Sequence, residues 1–164
     1  MQKADRWALI FKIVFTLITL SVIWFIFSNS AEIAEVSGGK SALVTAWLNQ
    51  LLQALSLDLR LSEALVRKLA HFVEYTLLGF WLVLTLRVYT RRVLPYISWP
   101  LFLGLATAVT DETLQTFIPG RAGQLRDVCI DFAGVSAGIL CGLILMLLIK
   151  ALGIVMRQGR KRGE

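Results

Sequence analysis

Four apolar stretches occupy most of this 164-residue chain, each close to the roughly 20 residues a helix needs to cross a hydrocarbon core about 30 Å thick. They run over residues 7–27, 64–86, 99–118 and 128–149. Inside a bilayer no water satisfies the backbone amides, so isolated strands are excluded and spans of this kind become helices. Hydrophobic residues make up 57% of the chain, against about 45 to 50% in a soluble domain, which excludes an ordinary water-soluble fold. The expectation is an all-α membrane protein: a bundle of four transmembrane helices forming one domain over residues 1–164.

The first stretch follows Lys3 and Arg6 and precedes Ser28-Asn29-Ser30-Ala31, an order that superficially resembles a cleavable signal. Signal cores run about 7 to 15 residues, and this one is longer, so it is read as a retained span with Lys12 reaching back to the interface. Lys and Arg concentrate at the N-terminus, between the second and third spans (Arg87, Arg91, Arg92) and in the tail (Lys150, Arg157, Arg160, Lys161, Arg162). The positive-inside rule makes these segments cytoplasmic, and four crossings then bring both termini to that side. The net charge of +6 is a topology signal and an attraction to anionic headgroups; nucleic acid is not an expected partner.

The long first loop falls outside. Its Leu43, Val44, Trp47, Leu48, Leu51, Leu52 and Leu55 recur at helical spacing, so an interfacial helix is expected over residues 41–56, with Gly38-Gly39 as a turn and Ser41 as its start. Pro119-Gly120 ends the third span with a turn. On the fourth span Gly134, Gly138 and Gly142 follow at intervals of four, the small-residue spacing that lets a neighbouring helix approach closely. That neighbour belongs to the same chain or to a second copy, the latter giving a homo-oligomer. Cys129 and Cys141 lie about 18 Å apart along one helix at 1.5 Å per residue, too far for a disulfide, and are expected to pack.

Against this apolar background three polar runs stand out: Arg67-Lys68-x-x-His71-x-x-Glu74-Tyr75, Asp111-Glu112-x-x-Gln115, and Arg121 through Arg126-Asp127 to Asp131. A charge at the bilayer centre costs roughly 2.5 to 3.5 kcal/mol on insertion scales. Several together imply mutual pairing or a water-filled cavity. Spacings of three and four stack Arg67, His71 and Glu74 on one helix face, align Thr107, Asp111 and Gln115 on the next, and repeat in Asp127 and Asp131. All lie in the outer half of their spans, about 5 to 15 Å below the surface at 1.5 Å per residue, where they can converge on one pocket. Arg67, Lys68, Arg121 and Arg126 would supply charge for an anionic headgroup, since guanidinium binds phosphate or carboxylate with paired hydrogen bonds.

The same residues admit other chemistries. Five acids (Glu74, Asp111, Glu112, Asp127, Asp131) nearly balance four bases and His71, so the cluster also reads as a buried network that only fixes helix register; buried ion pairs are poor stabilisers, which favours a ligand-facing role. A phosphohistidine lipid phosphatase needs a second histidine, and His71 stands alone. His71 with Glu74 and Asp111, Glu112 or Asp131 has the donors for a divalent metal, but with one histidine among arginines no metal and no cofactor is expected. His71, Glu74, Asp111 and Glu112 are the candidates for proton transfer if the protein is an enzyme.

These residues give the chain a resemblance to the VanZ-like family of small membrane proteins. It rests on Arg67-Lys68-Leu69-Ala70-His71-Phe72-Val73-Glu74-Tyr75 with Leu78-Gly79, on Asp111-Glu112-Thr113-Leu114-Gln115-Thr116-Phe117-Ile118-Pro119-Gly120-Arg121, and on Asp127, Asp131, Gly134 and Gly138, with similarity also around Ser28. The family often has asparagine where this chain carries Asp131. The resemblance implies a bacterial plasma-membrane protein of the cell envelope, in a family named for a member associated with teicoplanin resistance. The expected ligand is an anionic envelope component, a lipid-linked glycan or a glycolipid headgroup, held by Arg67, Lys68, His71, Glu74, Tyr75, Asp111, Glu112, Gln115, Arg121, Arg126, Asp127 and Asp131. The alternatives are an enzyme acting on such a lipid and a non-catalytic scaffold.

Overall fold

The structure, a computed structural model, describes residues 3–162, with side chains over 5–154 and at 156; Lys3, Arg157, Arg160, Lys161 and Arg162, used above for sidedness, have side chains outside the described part. Among the described residues there is no strand. Five α-helices follow one another: α1 Lys3–Ser30, α2 Ala34–Ala54, α3 Glu63–Tyr89, α4 Ser98–Gln115 and α5 Leu125–Arg162, with a short 3₁₀ turn Leu94–Tyr96 ahead of α4. Among the described residues three segments are long and apolar enough to cross a membrane: Asp5–Ser30, Glu63–Tyr89 and Leu125–Ile154. α4 is not among them. It has 18 residues, and its last turns carry Asp111, Glu112 and Gln115.

The core runs along the seam between α3 and α5, with α1 and α4 packed beside it. Ile26, Tyr75, Leu78, Val83, Ala108 and Val135 are fully buried there. Close approach is possible because the facing positions lack side chains: a Cβ on Gly79 would strike the Val135 carbonyl, and one on Gly138 would strike the Thr76 carbonyl and the Phe80 amide. Gly134 faces the Phe72 carbonyl and Gly142 the Val83 side chain. The interval-of-four glycines therefore receive α3 of the same chain. At the other end of this bundle Thr19 Oγ1 meets Thr85 Oγ1 at 2.8 Å, and Lys12 lies over the Tyr89 ring at 5.5 Å.

Three local expectations need correction. α2 begins at Ala34, not at residue 41, so Gly38 and Gly39 are helical and Ser41 is no helix start: its hydroxyl donates to the Ser37 carbonyl at 3.0 Å. Each helical glycine costs up to about 1 kcal/mol, but Ser37 N bonds Ile33 O at 3.1 Å upstream of the two glycines, and Lys40 pairs back to Glu32 across them, so the helix is held on both sides. α4 stops at Gln115, three residues early, because the amides of Thr116, Phe117 and Ile118 bond three residues back instead of four, the tightened ending seen at helix termini. Gly120 then turns the chain at φ 78°, a left-handed conformation that only glycine adopts without strain. Finally, Cys129 and Cys141 are exposed on α5 and not packed in the core.

Candidate functional site

The first turns of α3 and α5 and the last turn of α4 stand together, with the loop 116–124 crossing over them. Ser62 caps α3 by accepting from Leu65 N at 3.3 Å. Glu112 does a similar service for α5: its Oε1 accepts from Gln124 N at 2.6 Å, so a carboxylate of α4 holds the entry to α5. Between these elements lies a cavity of about 610 Å³ lined by Glu63, Ala64, Arg67, Lys68, His71, Glu112, Gln115, Gly120, Arg121, Ala122, Gln124, Asp127, Ile130 and Asp131. A smaller one of about 200 Å³, bounded by Asn29, Glu32, Lys40, Glu74 and other residues of α1 to α3, shares Arg67, His71 and Arg121 with it. These three side chains form the partition between the two spaces.

Burial grades from mouth to floor. Arg67, Lys68, Arg121 and Asp127 are half-buried, whereas Glu112, Asp131 and Asp111 are 6%, 2% and 0% exposed. Lys68 Nζ pairs with Asp127 Oδ1 at 2.6 Å. Arg67 and Arg121 form no ion pair with any carboxylate among the described residues. Arg121 donates one hydrogen bond, from Nη2 to the Asn29 carbonyl at 3.4 Å, and its buried Nε makes none. Burial, and then the adjacent Arg67 guanidinium, lower the hold of Arg121 on its proton, opposed by Asp111, Glu32 and Glu112. An arginine nevertheless stays charged at neutral pH. Two like charges are thus held close together at the wall of a cavity.

The floor is carboxylate and imidazole. One ligand-capable atom each from His71, Asp111 and Asp131 lies within 4.8 Å of the other two. Asp111 is fixed from behind: its Oδ2 accepts from Ser30 Oγ at 2.8 Å and from Gln115 Nε2 at 3.3 Å. Its Oδ1 is buried without a hydrogen bond, as are His71 Nδ1 and the Tyr75 hydroxyl; that hydroxyl is close to Asp111 and Asp131.

The structure gathers eight of the twelve sequence-selected ligand residues around the larger cavity: Arg67, Lys68, His71, Glu112, Gln115, Arg121, Asp127 and Asp131. The other four are placed differently. Asp111 and Tyr75 are fully buried behind its wall. Glu74 lines the smaller cavity and accepts from Asn29 Nδ2 at 2.8 Å, so its expected meeting with His71 is replaced by one with α1. Arg126 is exposed and lines neither cavity, because residues 126 and 127 point 100° apart on the helix and Asp127 takes the inward place. Sequence reasoning missed Asn29, Ser30 and the Gln124 amide. The signal for the first two was present: a polar pair closing an apolar span at the depth of the other polar runs.

A family model described as VanZ/LLP1 matches residues 13–148, a stretch that contains every residue of both cavities. No curated protein and no solved structure matches the chain.

Proposed function

This chain belongs to the VanZ/LLP1 family, and from that premise we propose a multi-pass protein of the bacterial plasma membrane whose outward-facing pocket binds the anionic headgroup of an envelope lipid, such as a lipid-linked glycan or a glycolipid. The observation that carries this reading is the pair Arg67 and Arg121, guanidinium groups on a cavity of about 610 Å³ with no carboxylate paired to either. A phosphate or carboxylate accepting from both would satisfy donors that the protein leaves open. The first turns of α3 and α5, which carry the partial positive charge of helix N-termini, border the same cavity.

In this reading α4 is a fourth span, short and polar at its outer end where the pocket begins, and α2 rests on the outer interface. Leu43 and Trp47 support the latter, being 75% and 62% exposed on a helix whose only buried residue is Thr45. The arginine-rich link between α3 and α4 and the basic tail are then cytoplasmic. A contribution to glycopeptide resistance, teicoplanin in particular, follows if the bound lipid is the one on which the drug acts.

Retention of a lipid-linked pyrophosphate glycan by the purified protein in detergent tests the pocket. Arg67→Gln and Arg121→Gln should each weaken binding about tenfold or more, a loss near 1.4 kcal/mol, at unchanged accumulation in the membrane. Equal retention by both well-folded variants would remove this reading. Reporter fusions at residue 50 and at the termini check sidedness, and a cytoplasmic residue 50 would turn the pocket inward.

A further inference from the structure

The floor of the cavity has the wrong charge for an anion. Its lining counts three cations (Arg67, Lys68, Arg121) against four carboxylates (Glu63, Glu112, Asp127, Asp131), and Asp111 stands immediately behind. Lys68 is already spent on Asp127. Asp111 and Asp131 are 0% and 2% exposed and neither has an ion-pair partner among the described residues. Two carboxylates withdrawn from water beside one imidazole are stabilised by protons or by a compensating positive charge.

We propose that His71, Asp111 and Asp131 bind a divalent cation of the Mn²⁺ or Zn²⁺ type at the floor of this cavity, with Tyr75 positioning Asp111. The donor set, one imidazole nitrogen and two carboxylate oxygens, suits those ions. Ligand bonds of about 2.0 to 2.2 Å put donor atoms roughly 3 to 4 Å apart, so a spread within 4.8 Å closes by a small rotation of a side chain. A second observation is independent of the cluster's composition. Asp111 Oδ2 is held by Ser30 and Gln115 while the fully buried Oδ1 has no partner, the disposition of a ligand oriented by an outer shell of donors. Tyr75, itself fully buried, brings its hydroxyl close to the same carboxylate without a well-formed hydrogen bond.

Other acids are excluded from the shell by their own partners. Glu74 accepts from Asn29 and Glu112 from the Gln124 amide, so the metal trio is not the His71-Glu74 pair that the sequence spacing suggests. His71 and Asp131 face the cavity and Asp111 does not, which leaves the coordination positions on the cavity side open. An anionic oxygen arriving between Arg67 and Arg121 would reach them. The cation thus gives an acidic floor the means to hold an anion, although the cation site itself does not depend on that occupant.

Full-length protein purified in detergent, stripped with chelator and titrated with MnCl₂ alone, tests the site. One Mn²⁺ per chain is expected, with a nitrogen coupling from His71 in the pulsed paramagnetic-resonance spectrum. Asp131→Asn and His71→Gln should each lower affinity at least tenfold, and Glu35→Gln, on the exposed side of α2, should leave it unchanged. Wild-type protein with no stoichiometric Mn²⁺, or with Mn²⁺ but no nitrogen coupling, overturns the proposal even if the variants fail to fold; so does undiminished affinity in Asp131→Asn. Repeating the lipid-retention assay with and without Mn²⁺ separates the two ideas: lipid held with no Mn²⁺ bound sinks the cation site alone, and Mn²⁺ bound with no lipid held supports it while removing the anion reading.

Discussion

The same two helices, α3 and α5, behave in opposite ways along their length. From Phe72 onward they are pressed together, with glycines at 79, 134 and 138 set against backbone and Gly142 against the Val83 side chain, leaving no room for a methyl group. One to two turns towards their N-termini they border a cavity of about 610 Å³ lined with charge. The contrast shows how a small membrane protein can hold polar groups still without a soluble scaffold. Close packing in lipid rests on contact area and small residues, since no hydrophobic drive operates between helices there. The glycine seam is therefore the rigid part, and the cavity inherits its shape from it.

The strongest way to break this contrast is to put a methyl group in the seam. Gly138→Ala would drive a Cβ into the Thr76 carbonyl and the Phe80 amide, backbone atoms that move only with the whole helix. A loss of about 3 kcal/mol, at the upper end of overpacking costs, is expected as an earlier unfolding midpoint in a denaturing-detergent titration. Gly39→Ala is the matched control: nothing lies within 4 Å of its added Cβ, and it should stabilise the helical α2 by up to about 1 kcal/mol. Equal effects at the two positions would show that the seam is not tightly closed.

Next in size is the support beneath the cavity. Ser30 is 1% exposed and donates to Asp111 Oδ2. Ser30→Ala should cost about 2 kcal/mol, the range for a lost hydrogen bond to a charged group, in the same titration. It should also weaken Mn²⁺ binding about tenfold or more, as removal of outer-shell partners does. A stability loss without a metal effect would mean that Ser30 serves the α1 to α4 packing alone.

How far the sequence announced these two regions differs for reasons of physics. Helix spacing is local, so the placement of Arg67, His71, Asp127 and Asp131 on inward faces was legible, as were the spans and the glycine repeat. What the spacing could not convey is which partner each group finds across helices. Glu74 and His71 are three residues apart and could meet, yet Asn29 of α1 takes Glu74. Glu112 looked like a ligand and also ties down the start of α5. The early start of α2 was hidden because glycines signal turns, whereas here bonds on both sides carry the helix through Gly38 and Gly39. The partner choice for the glycine repeat was likewise open until α3 was seen to fill it.

A smaller effect is expected at the half-exposed mouth. Lys68 and Asp127 approach to 2.6 Å with side chains 34% and 31% exposed, so water screens their attraction. A double-mutant cycle with Lys68→Met and Asp127→Asn should give a coupling of about 0.5 to 1 kcal/mol, falling as salt is raised. A coupling of several kcal/mol would mean that this pair sits in a much drier environment and belongs with the floor.

The smallest stability loss separates packing from function most cleanly. Tyr75→Phe removes a hydroxyl that makes no hydrogen bond from a ring that is fully buried against the seam. The ring and its contacts remain and the group removed is a buried hydroxyl without a partner, so metal-free protein should lose no stability and gain up to about 1 kcal/mol. With Mn²⁺ present the expectation differs, because a cation drawn to Asp111 brings that carboxylate into play and the phenol then has an acceptor to orient. The rise in unfolding midpoint that Mn²⁺ confers on wild type should therefore be smaller in Tyr75→Phe, while its metal-free midpoint equals or exceeds that of wild type. A large loss without metal would place the hydroxyl in the packing of the seam. Identical Mn²⁺-induced rises would leave Tyr75 as a packing aromatic, confining the metal site to His71, Asp111 and Asp131.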